Sequence, residues 1–171
     1  MDQTRQFKQW LAGLRVIAGA TFVYQGMNHA FGGWATAAGF ARGINGFASH
    51  DPLHWYTSFM VPIVLGNPGF FGPLFTYGMI LTGLGMIFGF LLVPALIAAL
   101  WLNANNFLMG FSGGGVHYGL NLLMITLELA LLQTGAWRAY SLDGLLFAKD
   151  TRSSVGGADR SLAKPERSLP S

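Results

Sequence analysis

The chain has 171 residues, of which 52% are apolar and only 10% are charged, whereas a soluble domain carries roughly a quarter charged residues. This deficit argues against a soluble domain and favours a protein that is surrounded by lipid. The net charge of +3 does not indicate a nucleic-acid groove, because nine of the ten Lys and Arg residues lie towards the two ends of the chain. The absence of cysteine excludes disulfides, cysteine-ligated iron–sulfur clusters and haem attached through cysteine.

Four stretches are long and apolar enough to form helices across a hydrocarbon core of ~30 Å; they are residues 10–29, 70–89, 94–111 and 117–135. The first carries Arg15 and His29 on one face. The last carries His117, Asn121 and Glu128, which are four and seven residues apart and therefore lie on one stripe of a helix. Polar groups at this depth avoid lipid, so both polar stripes should face the interior of a helical bundle.

Glycine recurs in the second predicted span, at positions 78, 83, 85 and 89. We expect these positions to line close helix contacts, and Gly85 with Gly89 forms a small-xxx-small pair that lets two backbones approach. Residues 90–94 predict a tight turn, and Pro94 can begin the third helix because a proline lacks the N–H that the first turn leaves unbonded.

The connection at 30–69 contains no clean spanning segment and reads as short helical pieces separated by Gly, Asn and Pro. Asp51 and Pro52 form a good helix start, with Asp at the N-cap and Pro in the first helical position. Trp55 and Tyr56 follow, and these residue types favour the lipid headgroup level. We therefore predict an interfacial or partly re-entrant helix that covers the mouth of the bundle.

The predicted fold is all-α: a four-helix membrane bundle over residues 1–147, with an extra interfacial helix between the first two spans. Residues 148–171 are polar and charged and predict a disordered cytoplasmic tail. The excess of Lys and Arg at both ends places both termini in the cytoplasm, which requires an even number of spans across the cell membrane. All four histidines then lie on the outer side, where Arg42 is the only cation of the loops.

Two groups of polar residues could carry chemistry. Arg15 and Glu128 lie at similar predicted depths, so they form either a structural ion pair or a site in which Glu128 relays protons. The outer polar residues form either a quinone site, a metal site or a set of satisfied interfacial groups. The metal alternative rests on His50 and His54, but Pro52 separates them and no HExxH pattern is present.

The motif AWRAYSLDGLL after the fourth span resembles the DoxX-like family of small four-helix membrane proteins. LRVIAGATFVYQGMNHAF resembles the first helix of that family, and GFARGINGF and LNANNF resemble segments of its DoxD branch, the small subunit of thiosulfate:quinone oxidoreductase. The similarity covers about residues 10–147.

The resemblance implies a membrane subunit of a quinone-linked oxidoreductase that acts on a small sulfur compound such as thiosulfate. Quinone is then the expected cofactor, with no metal and no covalently bound group. The expected partners are the lipid bilayer and a second membrane or redox subunit. A homo-oligomer is a further expectation, and no nucleic acid is expected. Arg15 and Glu128 are the candidate catalytic residues. The candidate residues for the quinone headgroup or an anionic substrate are His29, Arg42, His54, Asn106, His117 and Asn121. The alternative is a non-catalytic membrane scaffold or small-molecule carrier.

Overall fold

The computed structural model describes residues 3–49, 53–109, 115–134 and 141–143. Over these residues the chain is helical throughout, which confirms the predicted all-α class, and no strand occurs among them. The six helices are α1 (Gln3–Phe31), α2 (Ala37–Ala48), α3 (His54–Gly66), α4 (Pro68–Phe88), α5 (Leu92–Met109) and α6 (Gly115–Thr134). The predicted tail and the Asp51–Pro52 helix start lie outside the described residues, as do positions 137–140 of the motif AWRAYSLDGLL.

Helix α1 has 29 residues and extends beyond the predicted span of 10–29 at both ends. Its first turns are rich in Gln, Arg and Lys, which are good helix formers, so the helix continues out of the apolar segment. It ends where two glycines follow, the second of which, Gly33, has a φ of 81°. This left-handed position reverses the chain, and the N–H of Trp34 then donates to the carbonyl of His29 at 2.9 Å.

Helix α2 is a single helix, although its glycines predicted separate short pieces. Thr36 caps its N-terminus, since the Thr36 hydroxyl accepts from the N–H of Gly39 at 3.1 Å. Phe40 and Ile44 are buried on one face, and the ring of Trp34 occupies the space over Gly43. Tertiary packing therefore outweighs the weak helix propensity of glycine here.

Helices α4 and α5 are both long and apolar enough to cross a membrane, and the apolar stretch of α6, Gly119–Thr134, is shorter. Helix α4 begins with Pro68 and ends at Phe88, and its C-cap Gly89 has the left-handed conformation typical of a helix C-terminus. Helix α5 begins at Leu92, two residues before the predicted start. Pro94 lies in its first turn, where the backbone N–H has no partner within the helix.

Close backbone contacts join the helices that are neighbours in the bundle. Helix α1 packs along α4, and α5 lies against both α4 and α6. A Cβ added at Gly83 would lie 2.5 Å from the carbonyl oxygen of Gly19, so the two helices touch at their glycines. Gly85 faces Ala95 across the α4–α5 hairpin. The prediction for Gly78 is wrong, because it has no neighbour within 4 Å of its missing Cβ.

Candidate functional site

A cavity of about 770 Å³ lies between the six helices, in the half of the bundle where α1 ends. Most of its wall is apolar. Its polar part includes the hydroxyl side chains Thr21, Tyr24 and Thr82, together with amides and an imidazole from Gln25, Asn28, His29, Asn105, Asn106 and Asn121. No Asp, Glu, Lys or Arg of the described chain lines it. Such a cavity suits a neutral, largely apolar molecule with a few hydrogen-bonding atoms.

One wall of the cavity is a cluster of aromatic rings around His29. The centroid of the His29 ring lies 4.5 Å from that of Trp34 and 5.6 Å from that of Phe75, both in edge-to-face geometry. Trp34 in turn meets Phe40 at 6.1 Å. Edge-to-face contacts of this kind hold rings in fixed orientations, so His29 is presented to the cavity by a rigid apolar support.

Helix α3 covers the cavity on another side through Met60 and Val64. Its link to the bundle is Tyr56, whose hydroxyl donates to the side-chain oxygen of Asn105. The amide nitrogen of Asn105 donates to the carbonyl of Trp101 at 2.6 Å. Tyr56 is buried, and burial raises the pKa of its hydroxyl, so the tyrosine remains a donor at neutral pH.

The structure brings part of the predicted ligand-binding set together. His29, Asn106 and Asn121 line the cavity, as does the aromatic Trp101. Arg42 and His54 are exposed and do not belong to its described lining. The side chain of His117 lies outside what the structure describes. Over the described residues, no group of three His, Cys, Asp or Glu side chains is placed to hold a metal.

Arg15 is only 2% exposed, and the carboxylate that acts on it electrostatically is Asp143. Asp143 accepts hydrogen bonds from the N–H groups of Leu91 at 3.1 Å and Leu92 at 2.8 Å. Its own N–H donates to the carbonyl of Gly89 at 3.0 Å. The segment after α6 therefore returns to the α4–α5 turn and caps the N-terminus of α5.

The capped turn is conformationally strained, which explains why it needs the carboxylate. Leu91 has a φ of 47°, in the left-handed region that side chains with a Cβ disfavour. The Asp143 carboxylate bonds the N–H of this residue and of the next one. In the sequence, the motif that contains Asp143 predicted only a family resemblance, and the role of Asp143 as a cap was missed.

Glu128 is fully buried, and its partner is Asn103, whose amide nitrogen donates to Oε1 of the glutamate at 2.6 Å. The predicted ion pair between Arg15 and Glu128 is therefore wrong. The two residues lie at different levels: Arg15 is beside Gly89 at the α4–α5 turn, while Glu128 pairs with Asn103, in the second half of α5. Asn103 is itself buried.

No family model, curated protein or solved structure matches the chain. The resemblance to the DoxX-like family accordingly stays a prediction from the sequence motifs.

Proposed function

We propose that the chain is a DoxX/DoxD-like integral membrane protein that binds a quinone, as the membrane subunit of an oxidoreductase acting on a small sulfur compound such as thiosulfate. The observation that carries this proposal is the cavity, because three residues predicted to hold a quinone headgroup, His29, Asn106 and Asn121, line it together. A quinone supplies the capacity to accept two electrons and two protons.

The cavity fits the chemistry of a quinone ring. The ring is neutral and flat and has two carbonyl oxygens that accept hydrogen bonds, while the lining offers N–H donors from amides and from His29 beside an aromatic wall. The cavity volume of about 770 Å³ is in the range of about 300–1,000 Å³ that is typical of small-molecule sites. A doubly charged sulfur anion fits less well, because burying an uncompensated charge is costly.

The sulfur substrate is accordingly assigned to a second subunit, which passes electrons to the quinone bound here. Arg42, which the sequence analysis names as a candidate residue for an anionic substrate, is exposed on α2 and lies outside the described cavity lining. The chain has no cysteine for a metal–sulfur redox centre. In this proposal, it contributes the quinone site and its partner contributes the oxidation of sulfur.

The proposal includes four membrane spans, α1, α4, α5 and α6, with α2 and α3 at the outer interface and both termini in the cytoplasm. Support comes from apolar side chains exposed on all four helices, which lipid would cover: Ile17, Leu81, Ile97 and Leu123, each more than half exposed.

We expect single cysteines to report this topology in intact cells, since the natural chain has none. Asn45→Cys on α2 and Gln133→Cys at the end of α6 are both exposed sites. A membrane-impermeant maleimide should label the first before lysis and the second only after lysis. Labelling of both positions from outside would contradict the four-span arrangement.

Replacing His29 by alanine is expected to weaken the binding of a quinone analogue about tenfold, because one hydrogen bond to a ligand carbonyl is worth about 1 kcal/mol and the ring also supports the wall. Quenching of tryptophan fluorescence reports binding, since Trp34 and Trp101 line the cavity. The matched control is His54→Ala, which removes an exposed histidine outside the described lining. Equal affinity in both variants would remove His29 from the site.

The alternative function is a carrier or scaffold without redox activity. Its support is that the cavity lining contains amides and rings but no charged group of the described chain, so any neutral amphipathic molecule of similar size meets the same walls. Purified protein that binds a quinone analogue but does not reduce it with thiosulfate, alone or with a coexpressed partner, would favour the carrier.

A further inference from the structure

Within the described part of the chain, Glu128 makes one hydrogen bond and leaves one oxygen unbonded. Its Oε1 accepts from Asn103 at 2.6 Å, while Oε2 is buried and has no hydrogen-bond partner among these residues. The side chain is 0% exposed, and that of Asn103 is 4% exposed. A carboxylate in such a position would keep nearly all of the energetic cost of its desolvation, because a single neutral amide replaces water poorly.

No cation of the described chain compensates the charge of Glu128. Helix α6 packs against α5 and α1, and neither α5 nor the adjacent α4 contains an ionisable Asp, Glu, Lys, Arg or His residue. On α1 the buried cation is Arg15, which lies beside Gly89 and Asp143.

The register of the helices separates the two sites. Ala95 of α5 packs on Gly85 of α4, and the two helices run in opposite directions in their hairpin. Asn103 lies eight residues after Ala95, so it is level with Tyr77, which lies eight residues before Gly85. Gly89 is twelve residues from Tyr77, which corresponds to roughly 18 Å at about 1.5 Å per residue.

We infer that Glu128 binds a proton in the resting protein, so that a neutral carboxylic acid occupies the core between α5 and α6. Oε1 is then the carbonyl oxygen that accepts from Asn103, and Oε2 carries the hydrogen and becomes a donor.

This proton-binding site lies close to the cavity. Asn103 precedes Asn106 by three residues on α5, and Asn121 precedes Glu128 by seven on α6, so one to two helical turns separate the acid from the polar lining. The site is thus placed to exchange a proton with a molecule whose protonation changes in the cavity. Protonation of Glu128 in the resting protein does not depend on whether that molecule is a quinone.

The chain contains two glutamates, Glu128 and Glu166, which makes a direct test feasible. Protein labelled with ¹³C at the glutamate carboxyl carbon, in the Glu166→Gln background, leaves one labelled side chain to be observed by NMR in detergent or lipid. At neutral pH we expect its chemical shift to be that of a carboxylic acid. A chemical shift typical of an ionised carboxylate would overturn the inference.

Infrared spectroscopy of variants provides a second test of whether Glu128 is protonated. The carbonyl stretching band of a protonated acid should be present in the natural protein at neutral pH, absent from Glu128→Gln and retained in Asp143→Asn. Asn103→Leu should shift the band, because the carbonyl loses its hydrogen bond. A band that survives in Glu128→Gln, or that is absent from the natural protein, would contradict a neutral Glu128.

Discussion

Replacement of Asp143 by alanine is expected to destabilise the protein by about 3–5 kcal/mol, the range observed when one partner of a buried charge pair is removed. The change removes the carboxylate beside the buried guanidinium of Arg15. It also removes the acceptor for the N–H groups of Leu91 and Leu92, the first of which lies in the strained turn. Thermal unfolding in detergent, followed by intrinsic fluorescence, measures the loss as a lower Tm.

Two further variants separate the charge from the cap. Asp143→Asn retains one acceptor oxygen for the turn but loses the negative charge, so its Tm should lie between those of the natural protein and Asp143→Ala. Leu142→Ala is the matched control, since Leu142 is the adjacent residue and is 46% exposed. If Leu142→Ala and Asp143→Ala melted at the same temperature, the capping role of Asp143 would be wrong.

Gly83→Ala is expected to cause the second large loss of stability, by forcing α1 away from α4. The added Cβ would lie 2.5 Å from the carbonyl oxygen of Gly19 and 2.8 Å from the backbone nitrogen of Val23. Both atoms belong to the α1 backbone and cannot rotate aside, unlike the end of a flexible side chain. Overpacking typically costs about 1–3 kcal/mol, which outweighs the gain of about 1 kcal/mol in helix propensity. The measurement is again the Tm in detergent.

Gly78→Ala is the internal control for this prediction. It introduces the same methyl group five residues earlier on the same helix, but nothing lies within 4 Å of the new Cβ, and the position borders the cavity. We expect an unchanged or slightly higher Tm from the better helix propensity of alanine. A similar loss in both variants would mean that the cost arises within α4 and not at its contact with α1.

Much of the helical fold follows from residue patterns along the chain. The bounds of α4, α5 and α6 predicted from the apolar stretches lie within about two residues of the observed bounds. Glycine and proline mark the ends of these stretches, and both residues favour helix termini. The continuity of α2 was not predictable in this way. It depends on the Trp34 ring that covers Gly43, a contact between residues that local propensity treats separately.

The sequence predicted several residues that line the cavity, but it did not predict which buried polar side chains bond each other. His29, Asn106 and Asn121 share the cavity as expected, since polar side chains near the same ends of packed helices converge. Depth in a membrane is a single coordinate, so equal depth suggested a bond between Arg15 and Glu128. Which side chains pair is decided by which helices are neighbours. Glu128 therefore bonds Asn103, and Asp143 lies beside Arg15.

The docking of Asp143 onto the α4–α5 turn has a consequence for biosynthesis. The turn at Leu91 leaves the ribosome about fifty residues before its capping carboxylate, so the N-terminus of α5 lacks this acceptor while α6 is being made. Translation proceeds at about 5–20 residues per second, which leaves this hairpin incomplete for several seconds. A nascent chain arrested before residue 141 should therefore be degraded faster than one arrested after residue 143 has emerged, even though both contain the six helices of the described chain.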